Sequence, residues 1–463
     1  MFKVNKQNKT KDLTEGSPIK LLITFMIPIL FGYLFQQFYT VADSIIVGRL
    51  LGPDALAGVG STSSVTFLVL VSSIGICSGF SIPVAQSFGK KDFSELRRLV
   101  GNVIVLTSLI AIIITAVTSI LCGDILTFMH NPKETFTYAY QYLLICFLGI
   151  PATMAYNMAA NLMRALGDSK TPLYFLFLSS AVNIILDLVL ISFTPLGVMG
   201  AALATVSAQL LAAILAIIYM AKTFDIIKIC KEDLKVRKND AIRLLSSGLP
   251  VAMQTSVTAI GTILLQSSVN DLGPAAMTSF TAGDKVMIMM ISPMDAIGTA
   301  LASFVGQNVG AKKFKRVSEG VRASSIMGIA YCVFAILLAL ILGETMISWF
   351  IDSESALFAS EIIKNGTDYL ITGVALYLPL LYIHILRNTI QAMGYSNFAV
   401  FGGALELLGR GSMGIYFVPA FGFAAVCFAS PLAWVFADLF FIPMYFILLR
   451  RIKRKYEIKE GSR

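Results

Sequence analysis

The sequence contains little charge. Only 14% of its 463 residues are Asp, Glu, Lys or Arg, whereas 56% are hydrophobic and the mean hydropathy is +0.78. Soluble domains carry about 25% charged residues, so this composition excludes an ordinary soluble protein and indicates a polytopic membrane protein. The apolar runs are long and continuous, not short and alternating, which excludes a β-barrel and predicts an all-α fold.

Several chemical signatures are missing. The six cysteines have no CxxC spacing, so neither disulfides nor a metal site of cysteines is expected. The sequence has no GxxxxGK[ST] motif, and ATP-driven transport by this chain is therefore not expected. No cleavable signal peptide is expected before the first span. The net charge of +9 follows the pattern of a membrane topology, described next, so no nucleic-acid partner is expected.

The apolar runs predict about twelve membrane spans. Lys and Arg concentrate in the tails and in alternate loops, which places both termini in the cytoplasm of a multi-pass cell-membrane protein. The basic segments are 1–20, 88–98, 222–243, 309–322 and 450–455, whereas the opposite loop 344–364 is acidic. The spans run over approximately 19–48, 55–87, 99–122, 136–166, 171–193, 197–221, 243–270, 276–308, 319–343, 365–393, 397–418 and 422–449.

A direct internal repeat relates the two halves of the chain. The run Gln86-Ser-Phe-Gly89 recurs as Gln307-Asn-Val-Gly310, and Pro28 corresponds to Pro250. The repeat predicts two six-helix lobes, 1–222 and 241–463, joined by a charged amphipathic linker, 223–240. Parallel repeats of this kind are typical of secondary transporters. The chain is therefore predicted to be a transporter and not an enzyme.

Two carboxylates lie inside apolar spans of the first lobe. A charged residue at a span centre costs about 2.5–3.5 kcal/mol on insertion scales, so Asp43 and Asp187 indicate function. Asn183 shares a helix face with Asp187, and Thr205 adds a hydroxyl in the next span. A depth count at about 1.5 Å per residue places Asp43, Asp187 and Thr205 in the outer half of the lobe. This oxygen set suits Na⁺ or a proton shared between two acids.

Further polar residues lie in the fourth and seventh spans. Asn157 falls in the inner half by the same count, so a place in this site and interhelical packing both stay open. Gln254 lies in the seventh span, and a cavity of Met and Phe with few polar groups would bind amphipathic organic compounds.

The second half carries charges that are more typical of structure than of coupling. Glu406 and Arg410 are four residues apart and are expected to pair. The sequence identifies no partner for Asp295 or Asp438. A lone histidine on an apolar helix is typical of packing, so His384 is interpreted as a packing residue. The roles of the adjacent Asp284 and Lys285 stay open.

These residues resemble a known family. The chain is similar over nearly its full length to the multidrug and toxic compound extrusion (MATE) transporters of bacteria, in their DinF-like branch. The motifs that carry the resemblance are Gln36-x6-Asp43-x4-Gly48, Gly52-x2-Ala55-Leu56-Ala57, Arg164-Ala165-x-Gly167-Asp168 and Gly306-Gln307-Asn308-x-Gly310-Ala311.

The resemblance implies twelve helices in two bundles around a V-shaped cavity, and export of mostly cationic, amphipathic organic compounds in exchange for Na⁺ or H⁺. No cofactor beyond the coupling ion is implied, and we expect a monomer in the lipid bilayer. Gln36 and Tyr39 match residues near the drug pocket, and Pro28 matches a proline where the first helix bends. A second-lobe cation site like that of the NorM-like branch is not expected, because no acid occupies the core of the seventh or tenth span. The positions that match the cation site are Asp43, Asn157, Asn183, Asp187 and Thr205.

Two other functions are conceivable for a membrane protein of this kind. A flippase for a lipid-linked precursor, or a metabolite exporter of the same superfamily, would hold phosphates with basic residues in its cavity. Apart from Lys285 and Arg410, the spans have few. An intramembrane aspartyl protease needs its acids in a glycine-rich setting, which the sequence Leu-Asp187-Leu lacks. Drug export is therefore favoured.

Overall fold

The computed structural model describes residues 10–129, 131–350 and 359–461, and within these ranges the chain is helical without a strand. Parts of the basic N-terminal tail and of the acidic loop 344–364 lie outside the described residues. The helices are α1 (Pro18–Leu51), α2 (Pro53–Ser61), α3 (Ser63–Gly89), α4 (Phe93–Ile120), α5 (Cys122–Phe128), α6 (Lys133–Leu148), α7 (Ile150–Ala165), α8 (Lys170–Phe193), α9 (Val198–Thr223), α10 (Lys238–Asn270), α11 (Pro274–Gly310), α12 (Phe314–Ser348), α13 (Ala359–Ala375), α14 (Tyr377–Ala392), α15 (Asn397–Ser412), α16 (Val418–Phe421) and α17 (Phe423–Gly461).

The helices account for every predicted span. Among the described residues, nine helices are long and apolar enough to cross a membrane, and two bent pairs bring this number to eleven. The remaining predicted span, 397–418, is occupied by α15, a π-helical turn at Met413–Phe417, and α16. The predicted all-α membrane fold is confirmed.

Three predicted spans are broken, which the sequence analysis did not anticipate. The second span is interrupted at Thr62, between α2 and α3. The fourth bends by 45° between α6 and α7, and the tenth bends by 53° between α13 and α14. Pro151 and Pro379 lie in the first turns of α7 and α14, where a missing N–H is tolerated, so each proline begins a new helix instead of continuing the old one. Gly149 occupies the break between α6 and α7, because a Cβ there would lie 2.2 Å from a methyl group of Val206.

The backbone repeats along the chain. Turns with positive φ recur at matching places in the two halves and in the same order, which is what a duplicated helical bundle requires. The pairs are Gly52 (85°) with Gly273 (95°), Lys91 (60°) with Lys312 (59°), Gly167 (90°) with Gly394 (88°), and Gly197 (53°) with Gly422 (61°).

The chain forms two compact units, Met1–Glu15 with Ile27–Ala252, and Gly16–Met26 with Met253–Arg463. In unit 1, α7 packs against α3, α4 and α9, and α8 packs against α9. Buried side chains such as Phe80, Leu99, Leu143 and Met163 form its core. In unit 2, α11 packs against α12, α13 and α14, and α17 packs against α14 and α15. The predicted lobe boundaries at 222 and 241 stay a prediction.

Helix α1 lies against α8, which brings its outer part to the first-lobe site. Phe35 and Phe177 make an edge-to-face contact with their ring centroids 5.4 Å apart. Further along, Val47 packs with Ile191 and Ala201 in a small buried cluster. These apolar contacts lie on both sides of Asp43 along α1.

Helix α4 begins with a capping aspartate. Asp92 accepts the backbone N–H of Glu95 at 3.0 Å, and this bond and the Lys90 ammonium lower the pKa of Asp92 below its usual value.

The linker, residues 223–240, is fixed to α4 in unit 1. The buried Asn102 amide of α4 donates to the Asp233 carbonyl at 3.5 Å and to the Lys235 carbonyl at 3.3 Å. Its carbonyl accepts the Arg237 N–H at 3.1 Å.

Candidate functional site

Asp187 and Asp43 are neighbours in unit 1. Asp187, on α8, is completely buried, and neither of its carboxyl oxygens has a hydrogen-bond partner within the described part of the chain. Its carboxyl group interacts with that of Asp43 on α1, whose Oδ1 also lacks a partner there. Ionised carboxylates only accept hydrogen bonds, so neither acid satisfies the other. A proton or a cation between them would supply what both lack.

Asn183 and Thr205 complete one side of the site. The Asn183 amide donates to the Thr205 hydroxyl at 3.3 Å, across α8 and α9. This orientation leaves the Asn183 carbonyl oxygen buried and without a partner among the described residues. Since Asn183 is four residues before Asp187, that oxygen and the Asp187 carboxylate lie on the same helix face.

A small cavity lies beside this face. Its free volume is about 10 Å³, close to the space that one water molecule needs. Tyr39, Asn183, Thr205 and Gln209 contribute to its lining. The Gln209 carbonyl oxygen is another buried acceptor without a partner in the described part of the chain. The site therefore brings together buried acceptor oxygens from α1, α8 and α9 that have no hydrogen-bond partner among the described residues.

The sequence analysis missed three residues of this site. Gln209 lies four residues after Thr205, and that spacing is the signal that was available for it. Tyr142 and Cys146, on α6, interact electrostatically with Asp43. They are also four apart, but they look like ordinary residues of an apolar span. Only the packing of α6 in unit 1 brings them close to Asp43.

The other predicted site residues lie apart from this group in the described contacts. Asn157 donates to the Thr153 carbonyl at 2.9 Å within α7. Gln36 is exposed on α1. Gln254 belongs to unit 2, where it is buried and donates to the Thr258 hydroxyl at 3.3 Å. Tyr39 is the exception, because it lines the small cavity beside Asn183, and its predicted place near the drug pocket stays a prediction.

Pro28 is buried in the interior of α1. It has no N–H for the carbonyl four residues earlier, so the helix lacks one hydrogen bond there. Such a position is where helices kink. The role of Pro28 as a hinge stays a prediction.

Several charged residues of unit 2 lie in two groups. The predicted pair is confirmed, with Arg410 Nη1 at 3.4 Å from Glu406 Oε2, and Arg387 also approaches Glu406 at 3.6 Å. The interpretation of His384 as a packing residue was incomplete, because its Nε2 lies 2.8 Å from Asp295 Oδ1. Asp295 thus has a partner that the sequence did not identify. Lys285 Nζ lies 5.6 Å from the centroid of the Phe350 ring.

Comparisons with known proteins agree with the repeat. The MatE family model matches the chain twice, at residues 28–189 and 250–406, and these matches cover more than half of the chain. The chain is 28% identical over 396 residues to "Probable multidrug resistance protein YoeA" of Bacillus subtilis (strain 168), covering 83% of each. It is 21% identical over 314 residues to the "FAD transporter" of Shewanella oneidensis, covering 67% of this chain and 69% of that protein.

The fold also matches a solved structure. An outward-facing multidrug resistance MATE family transporter of the MOP superfamily superposes with a TM-score of 0.89 at 21% identity, over 97% of this chain and 100% of the other. At this level of sequence identity, the likeness shows a shared fold and nothing about substrate or ion.

Proposed function

The chain belongs to the MatE family of secondary transporters and is not an enzyme, and we propose that it exports amphipathic, mostly cationic organic compounds in exchange for Na⁺ or H⁺. The observation that carries this proposal is the group of unpartnered acceptor oxygens in unit 1. Asp187, Asp43, Asn183 and Gln209 all present buried acceptor oxygens without partners among the described residues. Buried polar groups are normally hydrogen-bonded, so this group indicates a bound proton or cation.

The site would act by neutralising its own charge. With both carboxylates ionised, the pair repels and stays short of donors, whereas one proton or one Na⁺ relieves both problems. We propose that the ion enters from outside, neutralises the pair and favours the conformation that releases the organic compound. Coupling requires that the ion and the compound each bind the two conformations with different affinity. A membrane potential of 100 mV supplies about 2.3 kcal/mol for each charge that moves inward.

Pro28 would allow the conformational change. It lies 15 residues before Asp43 on the same helix, so a bend at Pro28 moves Asp43 relative to α8. The ion bound between Asp43 and Asp187 would then stabilise one shape of α1 over another.

The nature of the substrate rests on the relatives and on composition. YoeA is named a probable multidrug resistance protein, and the spans of this chain are rich in Met and Phe, which suit apolar ligands of varied shape. Gln36, Tyr39 and Gln254 are the polar residues that we propose for substrate contact. The second candidate is export of a metabolite, as the name of the Shewanella FAD transporter suggests. It is less favoured because Arg387 and Arg410 both already contact Glu406.

The proposed setting is the cell membrane, with both termini in the cytoplasm and the chain acting as a monomer. The basic residues of the linker and tails support this orientation.

The test uses purified full-length protein in lipid vesicles. A fluorescent organic cation is supplied on one side, and a Na⁺ gradient or an H⁺ gradient is imposed separately. The proposal expects one of the two gradients to drive accumulation of the dye. If neither gradient changes dye movement, while protein orientation in the vesicles is verified, the coupled antiport is wrong.

A further inference from the structure

A long apolar groove lies between α4, α7 and α9 of unit 1. Its volume is about 590 Å³, and it is separate from the small cavity beside Asn183. At its rim, Ile104, Ile112 and Ile217 are 43%, 62% and 51% exposed. Such large exposed apolar side chains on membrane-spanning helices face lipid, so the groove opens toward the bilayer.

The groove has the length of one membrane leaflet. Its lining on α4 runs from Val100 to Ile112, a distance of about 18 Å at 1.5 Å per residue. The hydrocarbon core of a bilayer is about 30 Å thick, so each leaflet contributes about half of this thickness. On α9 the lining includes Met220 and Ala221, close to the end of the helix at Thr223. The groove therefore begins at the linker end of unit 1 and extends about one leaflet into the membrane.

The mouth of the groove is basic. Ile227, Lys228 and Ile229 of the linker close this end, and Lys228 is the only charged side chain among the residues that line the groove. The surrounding segment 222–238 contains six basic and three acidic residues. Lys228 contacts Asp225 at 2.6 Å, but both side chains are largely exposed to solvent. An exposed pair of this kind is weak, so the ammonium group is available to a competing anion.

The mouth is also held in place. Asn102, buried on α4, binds the backbone of the linker at Asp233, Lys235 and Arg237. Val100, two residues earlier on α4, lines the groove. The hydrogen bonds of Asn102 to the linker, here called the linker clamp, and the groove thus lie on the same stretch of α4. Lys228 belongs to the linker that this clamp attaches to α4.

We propose that this groove binds an anionic phospholipid, with one acyl chain along α4 between α7 and α9 and the phosphate at Lys228. The apolar wall accommodates methylene groups, each of which favours burial. The basic mouth selects a negative head group, as basic pockets at the ends of membrane helices do. This lipid site goes beyond the proposed transport function and is independent of the coupling ion.

The test is lipid retention by the purified full-length protein, measured by native mass spectrometry with phosphatidylglycerol or phosphatidylcholine of identical acyl chains. The expected result is preferential retention of phosphatidylglycerol. Lys228→Ala should reduce it about fivefold, the effect of one basic residue near the surface. Lys231→Ala, an exposed lysine of the same linker outside the lining, should leave it unchanged.

A second measurement needs no variant. Phosphatidylglycerol with a photoreactive acyl chain should label peptides that contain residues 100–112. Equal retention of the two lipids, no effect of Lys228→Ala, or labelling spread over all spans would mean annular lipid only and would overturn the proposal.

Thr107, whose buried hydroxyl lacks a partner among the described residues, also lines the groove. Thr107→Val should leave lipid retention unchanged. If it instead weakens binding of an organic dye that competes with the lipid, the groove is a drug site and not a lipid site.

Discussion

The carboxyl groups of Asp187 on α8 and Asp43 on α1 interact, and within the described part of the chain neither buried oxygen of Asp187 has a hydrogen-bond partner. A pair of acids in this arrangement is stable in one of two ways, by sharing a proton or by binding a cation. Asn183 and Gln209 add carbonyl oxygens without partners, which favours a ligand in this part of unit 1.

The first prediction concerns the carboxylates themselves. Asp43→Asn and Asp187→Asn should each lower ion-driven efflux at least tenfold, because an amide neither releases a proton nor carries the charge that holds Na⁺. Protein in the membrane should not decrease, since an uncharged amide costs less to insert than a charged residue, which costs about 2.5–3.5 kcal/mol. Dye efflux from cells, normalised to membrane protein, measures this. Asp271→Asn, at an exposed turn between α10 and α11, is the matched control. Full efflux by either site variant would contradict the assignment.

Thr205 separates the two candidate ions. Thr205→Val keeps the shape of the side chain and removes one oxygen, so a Na⁺ site should lose affinity about fivefold, the value of one hydrogen bond or ligand contact of about 1 kcal/mol. A proton held between Asp43 and Asp187 should be nearly unaffected. The Na⁺ concentration and the pH that give half-maximal transport are the two quantities to compare. Thr118→Val, which removes a hydroxyl bonded to the Ile114 carbonyl at 2.8 Å, is the control. If Thr118→Val raised the Na⁺ concentration for half-maximal transport as much as Thr205→Val, the loss at Thr205 would not reflect a sodium ligand.

Pro28 and Pro250 offer a matched pair. They occupy corresponding places in α1 and α10, and alanine restores a missing helix hydrogen bond at either one. Pro28→Ala should reduce transport several-fold and leave ion binding in place, because a complete helix bends less readily at this position. Pro250→Ala should have a smaller effect, since its half has Leu264 at the position of Asp43. Transport rate and ion binding are measured separately in vesicles and in detergent. An equal loss from both variants would remove the special role of α1.

The linker clamp gives a prediction about stability. Asn102→Ala leaves two carbonyls and one N–H of the linker without their partner, which costs roughly 1–3 kcal/mol. Hydrogen exchange at residues 231–237 should increase, most of all at the Arg237 amide that Asn102 accepts, and the thermal midpoint should fall. Gly101→Ala should act the same way, because its Cβ would lie 2.2 Å from the Asp233 carbonyl oxygen. Unchanged exchange in both variants would show that the linker is held by other contacts.

The sequence predicts the fold well because lipid imposes a simple rule. Every span must be helical and mainly apolar, so hydropathy locates the twelve spans and the motif repeats identify the duplication. The breaks at Thr62, Gly149 and Leu376 were not predicted, since a hydropathy window counts apolar residues and does not register where the backbone bends. Pro151 and Pro379 were the signals available for two of them.

The site was predictable only in part. Asn183 and Asp187 share a helix face, which the chain order alone reveals. Tyr142 and Cys146 approach Asp43 only through the packing of α6, and Asp295 approaches His384 only through the packing of α11 on α14. Contacts of this kind depend on the rotation of each helix about its axis, and an apolar span gives little information about that rotation.

The most direct test of the central claim is counter-movement of the ion. Protein is reconstituted in vesicles loaded with ²²Na⁺ or with a pH indicator, and a gradient of the organic cation alone is imposed. The account predicts that the wild-type protein moves one of these ions against the compound at a fixed ratio and that Asp187→Asn does not. If Asp187→Asn moves the ion at the wild-type ratio, the Asp43–Asp187 pair is not the coupling site.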